Sequence, residues 1–195
     1  FLHQYPGHKV VSYINCSAEV KALSDVVCTS SNAERIINSI PANQPIVFAP
    51  DKNLGKYLIS RTGRNLVLWD GSCIVHESFS IEKLLHLYRK HPGAHIIAHP
   101  ESEQHLLKVA HFVGSTNALI SYAKNSNARK FIVATESGII HALSKEIGND
   151  KELIPAPTWE NNTCACGECS FMKMTTLDKV HSCMLHEYPA VEIDE

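Results

Sequence analysis

The apolar pattern of this chain switches period repeatedly, and that alternation constrains its fold more than any other feature. Short β-rich runs at residues 10–14, 25–29, 45–49 and 66–69 alternate with stretches of helical spacing. Ala33, Ile36, Ile37 and Ile40 fall at i, i+3, i+4 and i+7, and Leu54, Tyr57 and Leu58 begin the same stripe. In a second round, Ile81, Leu84, Leu85 and Tyr88 mark a helix. Strands then read at 95–98, 112–114, 131–134 and 153–155, with helices at 103–111, 117–124 and 139–146. Asn32, Asn53, Ser80, Ser102 and Ser115 or Thr116 stand where helix caps belong. Such alternation requires right-handed βαβ crossovers and parallel sheets. The expectation is an α/β fold of two small three-layer α/β/α units with parallel sheets of about four strands each. The unusual 69–80 stretch separates the two sets, which places the units at 1–76 and 77–160 and leaves a tail at 161–195.

Composition narrows the function. A formal net charge of −2 with no basic block gives no nucleic-acid surface. No apolar run approaches the ~18–20 residues of a membrane span, and the N-terminus does not resemble a signal peptide. The chain opens without methionine inside what reads as a connecting loop, and is expected to be part of a longer polypeptide. Seven cysteines, an odd number without a secretion signal, argue against a disulfide framework and for a reducing cytoplasm.

In open parallel sheets ligands bind beyond the carboxyl ends of the strands. Those ends deliver Tyr13 and Asn15, then Ser30 and Asn32, then Asp70 to Cys73. In the second set they deliver His99 and Glu101, Ser115 and Thr116, and Thr135 and Glu136. Ser30 to Asn32 and Gly114 to Thr116 each precede a helix, where hydroxyls and free N–H groups favour an anion, although ordinary N-caps look the same. His99 and Glu101 alternate across Pro100 and read equally as an acid/base pair or as a strand end.

Cys164, Cys166 and Cys169 form a hook of three thiols within six positions. A thioredoxin-like dithiol would follow the first strand of its fold, not the last. A structural zinc site wants four ligands in two close pairs, and only one good pair is visible. An iron–sulfur cluster accepts cysteines far apart in sequence, and Cys73 with one hook cysteine fits. Cys16 and Cys28 read as structural thiols of predicted strands, and Cys183 as incidental.

Together these residues resemble the quinolinate synthase family, iron–sulfur enzymes of NAD biosynthesis. The resemblance rests on co-linear motifs: Tyr13 to Asn15 with Ala18–Ala22, Cys28 to Asn32, Phe48 to Gly55, Trp69 to Glu77, Ala98 to Glu101, Val113 to Thr116 and Val133 to Glu136. Cys169 to Met172 closes the series, with Ser170 where the family usually has proline. The resemblance implies three similar α/β domains around a [4Fe–4S] cluster held by one cysteine from each. Cys73 and Cys169 would be two of those ligands, with Cys164 and Cys166 as accessory thiols. The third would lie in a first domain expected to precede residue 1, to which the tail would return.

The implied reaction condenses iminoaspartate with dihydroxyacetone phosphate to quinolinate. The open iron serves as Lewis acid, and L-aspartate oxidase is the implied functional partner. Tyr13 and Asn15 would orient substrate and transfer protons, and Glu101 would be the general acid/base. Ser30, His99, Ser115, Thr116 and Thr135 would hold carboxylate or phosphate oxygens. The chain alone is expected to be inactive. The competing expectations are a non-catalytic α/β binding module with structural zinc at Cys164, Cys166 and Cys169, and, more remotely, a thiol–disulfide enzyme.

Overall fold

The computed structural model describes residues 1–159 and 167–193. The first four strands are β1 (Lys9–Tyr13), β2 (Val26–Cys28), β3 (Ile46–Ala49) and β4 (Leu66–Leu68), with helices α1 (Ala18–Ala22), α2 (Ala33–Ser39) and α3 (Lys52–Thr62) between them. Helices α4 (Ile74–Glu77) and α5 (Ile81–Lys90) lead into β5 (His95–Ala98), β6 (Phe112–Val113), β7 (Lys130–Ala134) and β8 (Glu152–Pro155). Between these lie α6 (Gln104–Leu107), α7 (Thr116–Asn125) and α8 (Ile139–Ile147), and α9 (Ser170–Lys173) and α10 (Leu177–His186) end the chain. Both sheets are four-stranded and wholly parallel, as expected, in the orders β2-β1-β3-β4 and β6-β5-β7-β8.

The two sheets share one topology. In each, the strand order reverses beside the first strand, so the switch-point crevice opens beyond the carboxyl ends of β1 and β3 in one unit and of β5 and β7 in the other. Apolar alternation fixes the faces. Val11, Phe48, Ile37, Leu54 and Leu58 form the core of the first unit. In the second, Ile96 and Ile132 join Leu84 and Leu106 on one face, and Ile97, Phe131 and Val133 join Leu119 and Leu143 on the other. Each such side chain removed from water stabilises by about 1.5–3 kcal/mol. The 69–80 stretch packs toward the second sheet: Val75 and Phe79 are buried in its core, and Phe79 bridges to Thr158.

Local chemistry departs from the sequence expectation at three helix starts. Asp51, not Asn53, caps α3, accepting the Leu54 N–H at 2.6 Å. Asn32 Oδ1 turns back to accept from the Thr29 N–H at 2.7 Å instead of capping α2. Glu103 precedes α6, while Ser102 is buried. The helix expected over 103–111 stops at Leu107 because His111 is claimed by the sheet: its N–H donates to Ile96 O at 2.7 Å, and its Nδ1 accepts the Ile96 N–H at 3.0 Å. Ser80 and Ser115 cap as expected.

Candidate functional site

The carboxyl edges of both sheets meet at a cavity of about 610 Å³. Its polar lining is Tyr13, Asn15, Asp51, Ser72, Cys73, His76, Glu101, Glu136 and Cys169. The apolar lining includes Ile14, Trp69, Ile74, Phe171 and Met172. Three carboxylates and no Lys or Arg line it among the described residues.

Each cysteine is positioned by the same device. Cys73 stands at the head of α4 and Cys169 at the head of α9, both four-residue helices. Asp51, just past β3, accepts the Cys73 N–H at 2.9 Å. Glu136, just past β7, accepts the Cys169 N–H at 3.3 Å and the Gly138 N–H at 2.8 Å. Since β3 and β7 are equivalent strands of the two sheets, the carboxylate tether is repeated with the fold. Gly71 lets the Cys73 loop close: a Cβ there would lie 2.5 Å from Pro50 O.

Glu101 is the hub of the buried network. It is 4% exposed, and its two oxygens are engaged separately. Asn15 Nδ2 donates to Oε1 at 3.3 Å, and His99 Nδ1 lies 3.1 Å from Oε2. His76 stacks on His99 with centroids 5.0 Å apart, its Nε2 is 3.0 Å from Thr135 Oγ1, and its Nδ1 faces Glu101 Oε2 at 3.8 Å. Cys73, His76 and Glu101 thus bring one ligand atom each within 4.8 Å of one another.

The electrostatics follow from burial and neighbours. Burial opposes ionisation of Glu101, but the His99 hydrogen bond, the two imidazoles and Asn15 outweigh it, so its pKa falls below the usual carboxylate value. Desolvation takes His76 down to about 4 against the attraction of Glu101. Burial raises Cys73 to about 11, the His76 backbone N–H opposing and Glu101 adding to it. Burial also raises Asp51 to about 6, against its bonds from Leu54 and Cys73. Tyr13 rises to about 12 through burial and the charge of Glu101, while a hydrogen bond with Ser30 works the other way. At neutral pH the site holds a carboxylate, a neutral imidazole, a phenol and a protonated thiol.

Of the residues singled out in the sequence, Tyr13, Asn15, Cys73, Glu101 and Cys169 line one cavity. His99 and Thr135 stand behind it and touch its lining, and Ser30 bonds Tyr13. Ser115 and Thr116 begin α7 at the same sheet edge but do not line this cavity. Cys164 and Cys166 lie outside the described residues. Sequence reasoning gave no role to three lining side chains: His76, Asp51 and Glu136, the last of them already placed at a strand end. The signal for His76 was its i, i+3 spacing from Cys73 on a short helix.

The family model of the quinolinate synthetase A protein matches residues 1–195. The chain belongs to that family. Proteins named quinolinate synthase from Synechococcus sp. and from Microcystis aeruginosa are each 55% identical over all 195 residues, which make up 60% of either relative. Another from Nostoc punctiforme is 53% identical over the same span, 59% of its length. The chain therefore spans about 60% of the length of the curated relatives it matches.

Proposed function

We propose that this chain carries the larger part of a quinolinate synthase active site, serving the condensation of iminoaspartate with dihydroxyacetone phosphate in cytoplasmic NAD biosynthesis. One observation carries the reading. Cys73 and Cys169, each tethered by a carboxylate from an equivalent strand end, line one cavity with Glu101, Tyr13 and Asn15.

The donor set fits an iron–sulfur cluster in part. Both thiols are free and half-buried, and they line the same cavity. Cys73 and Cys169 would hold a [4Fe–4S] cluster, with a third cysteine from the part of the polypeptide outside this span. When bound, its open iron supplies Lewis acidity toward a substrate oxygen or nitrogen.

The chain's own residues do the rest. Glu101, kept ionised by His99 and Asn15, accepts a proton from substrate carbon and returns it to a departing hydroxyl. Tyr13 keeps its proton and donates a hydrogen bond that orients substrate, held in place by Ser30. Asn15 fixes Glu101 from across the cavity. Thr135 holds the His76 ring, and His76 stacks His99 into its bond with Glu101. Ser115 and Thr116 offer the N-terminus of α7 to a carboxylate or phosphate. Ile14, Trp69, Phe171 and Met172 give the mouth an apolar rim. L-aspartate oxidase is the proposed functional partner that supplies iminoaspartate.

Both substrates are anions, yet no Lys or Arg lines the cavity among the described residues. The positive charge must come from the metal group and from chain beyond this span, so the 195 residues alone are proposed to be inactive. Anaerobic reconstitution with iron and sulfide tests this. The expected result is fewer than ~4 irons per chain and no quinolinate. A full cluster with turnover would overturn the inactivity.

A further inference from the structure

A buried imidazole nitrogen and a carboxylate oxygen face each other unbridged in the most buried part of the site. His76 is 6% exposed, and its Nδ1 has no hydrogen-bond partner. His76 Nε2 lies 3.0 Å from Thr135 Oγ1 and Nδ1 lies 3.8 Å from Glu101 Oε2; in the tautomer with the proton on Nε2, Nδ1 presents its lone pair to the carboxylate. The third member, the Cys73 sulfur, completes a triangle with no edge above 4.8 Å. In that tautomer a lone pair faces a carboxylate across a low-dielectric pocket, an arrangement that a cation between them would satisfy.

We propose that Cys73 Sγ, His76 Nδ1 and Glu101 Oε2 form a mononuclear site for a thiophilic divalent ion, Zn²⁺ foremost. The donor types suit that ion: thiolate, imidazole and carboxylate, with the fourth position open to water. Ligand atoms around tetrahedral zinc stand roughly 3.3–3.8 Å apart, so the triangle needs to contract by about 1.5 Å at most. The surroundings meet the usual support for a metal-bound imidazole. Thr135 Oγ1 stands ready to accept from the other ring nitrogen, 3.0 Å away, and His99 stacks on the ring at 27°. The Glu101 oxygen not used by the metal is already bonded to Asn15. Asp51 fixes the loop that carries Cys73.

This site goes beyond the quinolinate synthase reading and does not rest on it. It shares Cys73 with the proposed cluster, so the two occupants exclude one another. Their remaining ligands differ: the mononuclear ion uses His76 and Glu101, and the cluster uses Cys169. Zinc at this site would therefore compete with cluster assembly.

Titration of the metal-free, reduced 195-residue chain with Co²⁺ under anaerobic conditions tests the proposal, with Zn²⁺ as displacing ion. The expected result is one equivalent bound, a thiolate-to-cobalt band with tetrahedral ligand-field bands in the visible, and their loss on adding Zn²⁺. Cys73→Ser should abolish the thiolate band. Glu101→Gln and His76→Gln should weaken binding by ~10- to 100-fold. Cys169→Ser should leave spectrum and affinity unchanged. Circular dichroism checks that each variant folds, and the isosteric Glu101→Gln decides the matter if another does not. No binding by the wild-type chain would overturn the proposal. So would a band that survives Cys73→Ser, disappears in Cys169→Ser, or is indifferent to Glu101→Gln. Each of those failures leaves the cluster reading standing, because the cluster requires Cys169 and not His76.

Discussion

Asp51 Oδ2 accepts the backbone N–H of Cys73 at 2.9 Å while its other oxygen caps α3, so one carboxylate fixes both a helix start and a thiol loop. Asp51→Ala should destabilise the fold by about 1–2 kcal/mol through the lost cap. It should also lower metal retention at Cys73 by ~10-fold or more, because the loop loses its tether. Glu136→Ala should do the same at Cys169 with less effect on stability, since Glu136 holds a turn and not a long helix. Denaturation midpoints and metal content of the two variants separate these effects.

The bond from Asn15 to Glu101 spans 86 residues and joins the two sheet edges. Asn15→Ala should cost about 1–2 kcal/mol, as expected for a partly buried hydrogen bond to a charged acceptor. Asn15→Asp should cost more, because it sets a second carboxylate against Glu101. Urea titration of both variants checks the order. Equal stabilities would show that the bond carries no weight.

Stability should fall on the acid side, with a recognisable shape. The folded pKa of His76 is depressed from 6.5 to about 4, so its contribution is complete above 6.5 and is lost as pH falls toward 4. Glu101 is also depressed, and its contribution is lost as pH falls below 4.5. Asp51 works the other way. Its pKa is raised from 3.8 to about 6, so its penalty is complete above 6 and is relieved as pH falls. His76→Gln should therefore flatten the acid decline, and Asp51→Asn should steepen it. Denaturant midpoints across that range provide the measurement.

Gly71→Ala places a methyl 2.5 Å from Pro50 O and 2.8 Å from the Trp69 ring, so the loop before Cys73 must shift. A loss of about 1–3 kcal/mol is expected, as for overpacking elsewhere. Metal binding through Cys73 should weaken as well, while Gly63→Ala, remote from the cavity, should leave it unchanged. Thermal melts and metal titration of the two variants give the comparison.

Much of the fold was legible because short β-rich runs alternate with longer stretches of helical spacing, so length and order separate the two. All eight strands overlap the expected runs, where Val, Ile, Leu and Phe recur. The errors arose where a side chain bonded elsewhere than in its own helix. His111 left the α6 pattern to bond Ile96, and Asn32 bonded Thr29 in place of a cap. The same limit applies at the site. Tyr13, Asn15, His99 and Glu101 sit at strand ends, which a sequence shows. The Asp51–Cys73 and Glu136–Cys169 tethers join residues 22 and 33 positions apart, a pairing that exists only once the sheets are assembled.

Glu101 is proposed to perform proton transfer beside a cluster held through Cys73 and Cys169. That role is tested most directly by exchanging these 195 residues for the matching 60% of the Synechococcus relative. Quinolinate formation and iron content of the anaerobically purified chimera are then measured. The account predicts turnover by the chimera, and loss of both iron and product in Cys73→Ser and Cys169→Ser. In Glu101→Gln it predicts iron retained with turnover reduced by ~100-fold or more. Full turnover in Glu101→Gln, or a complete cluster in either cysteine variant, would contradict it.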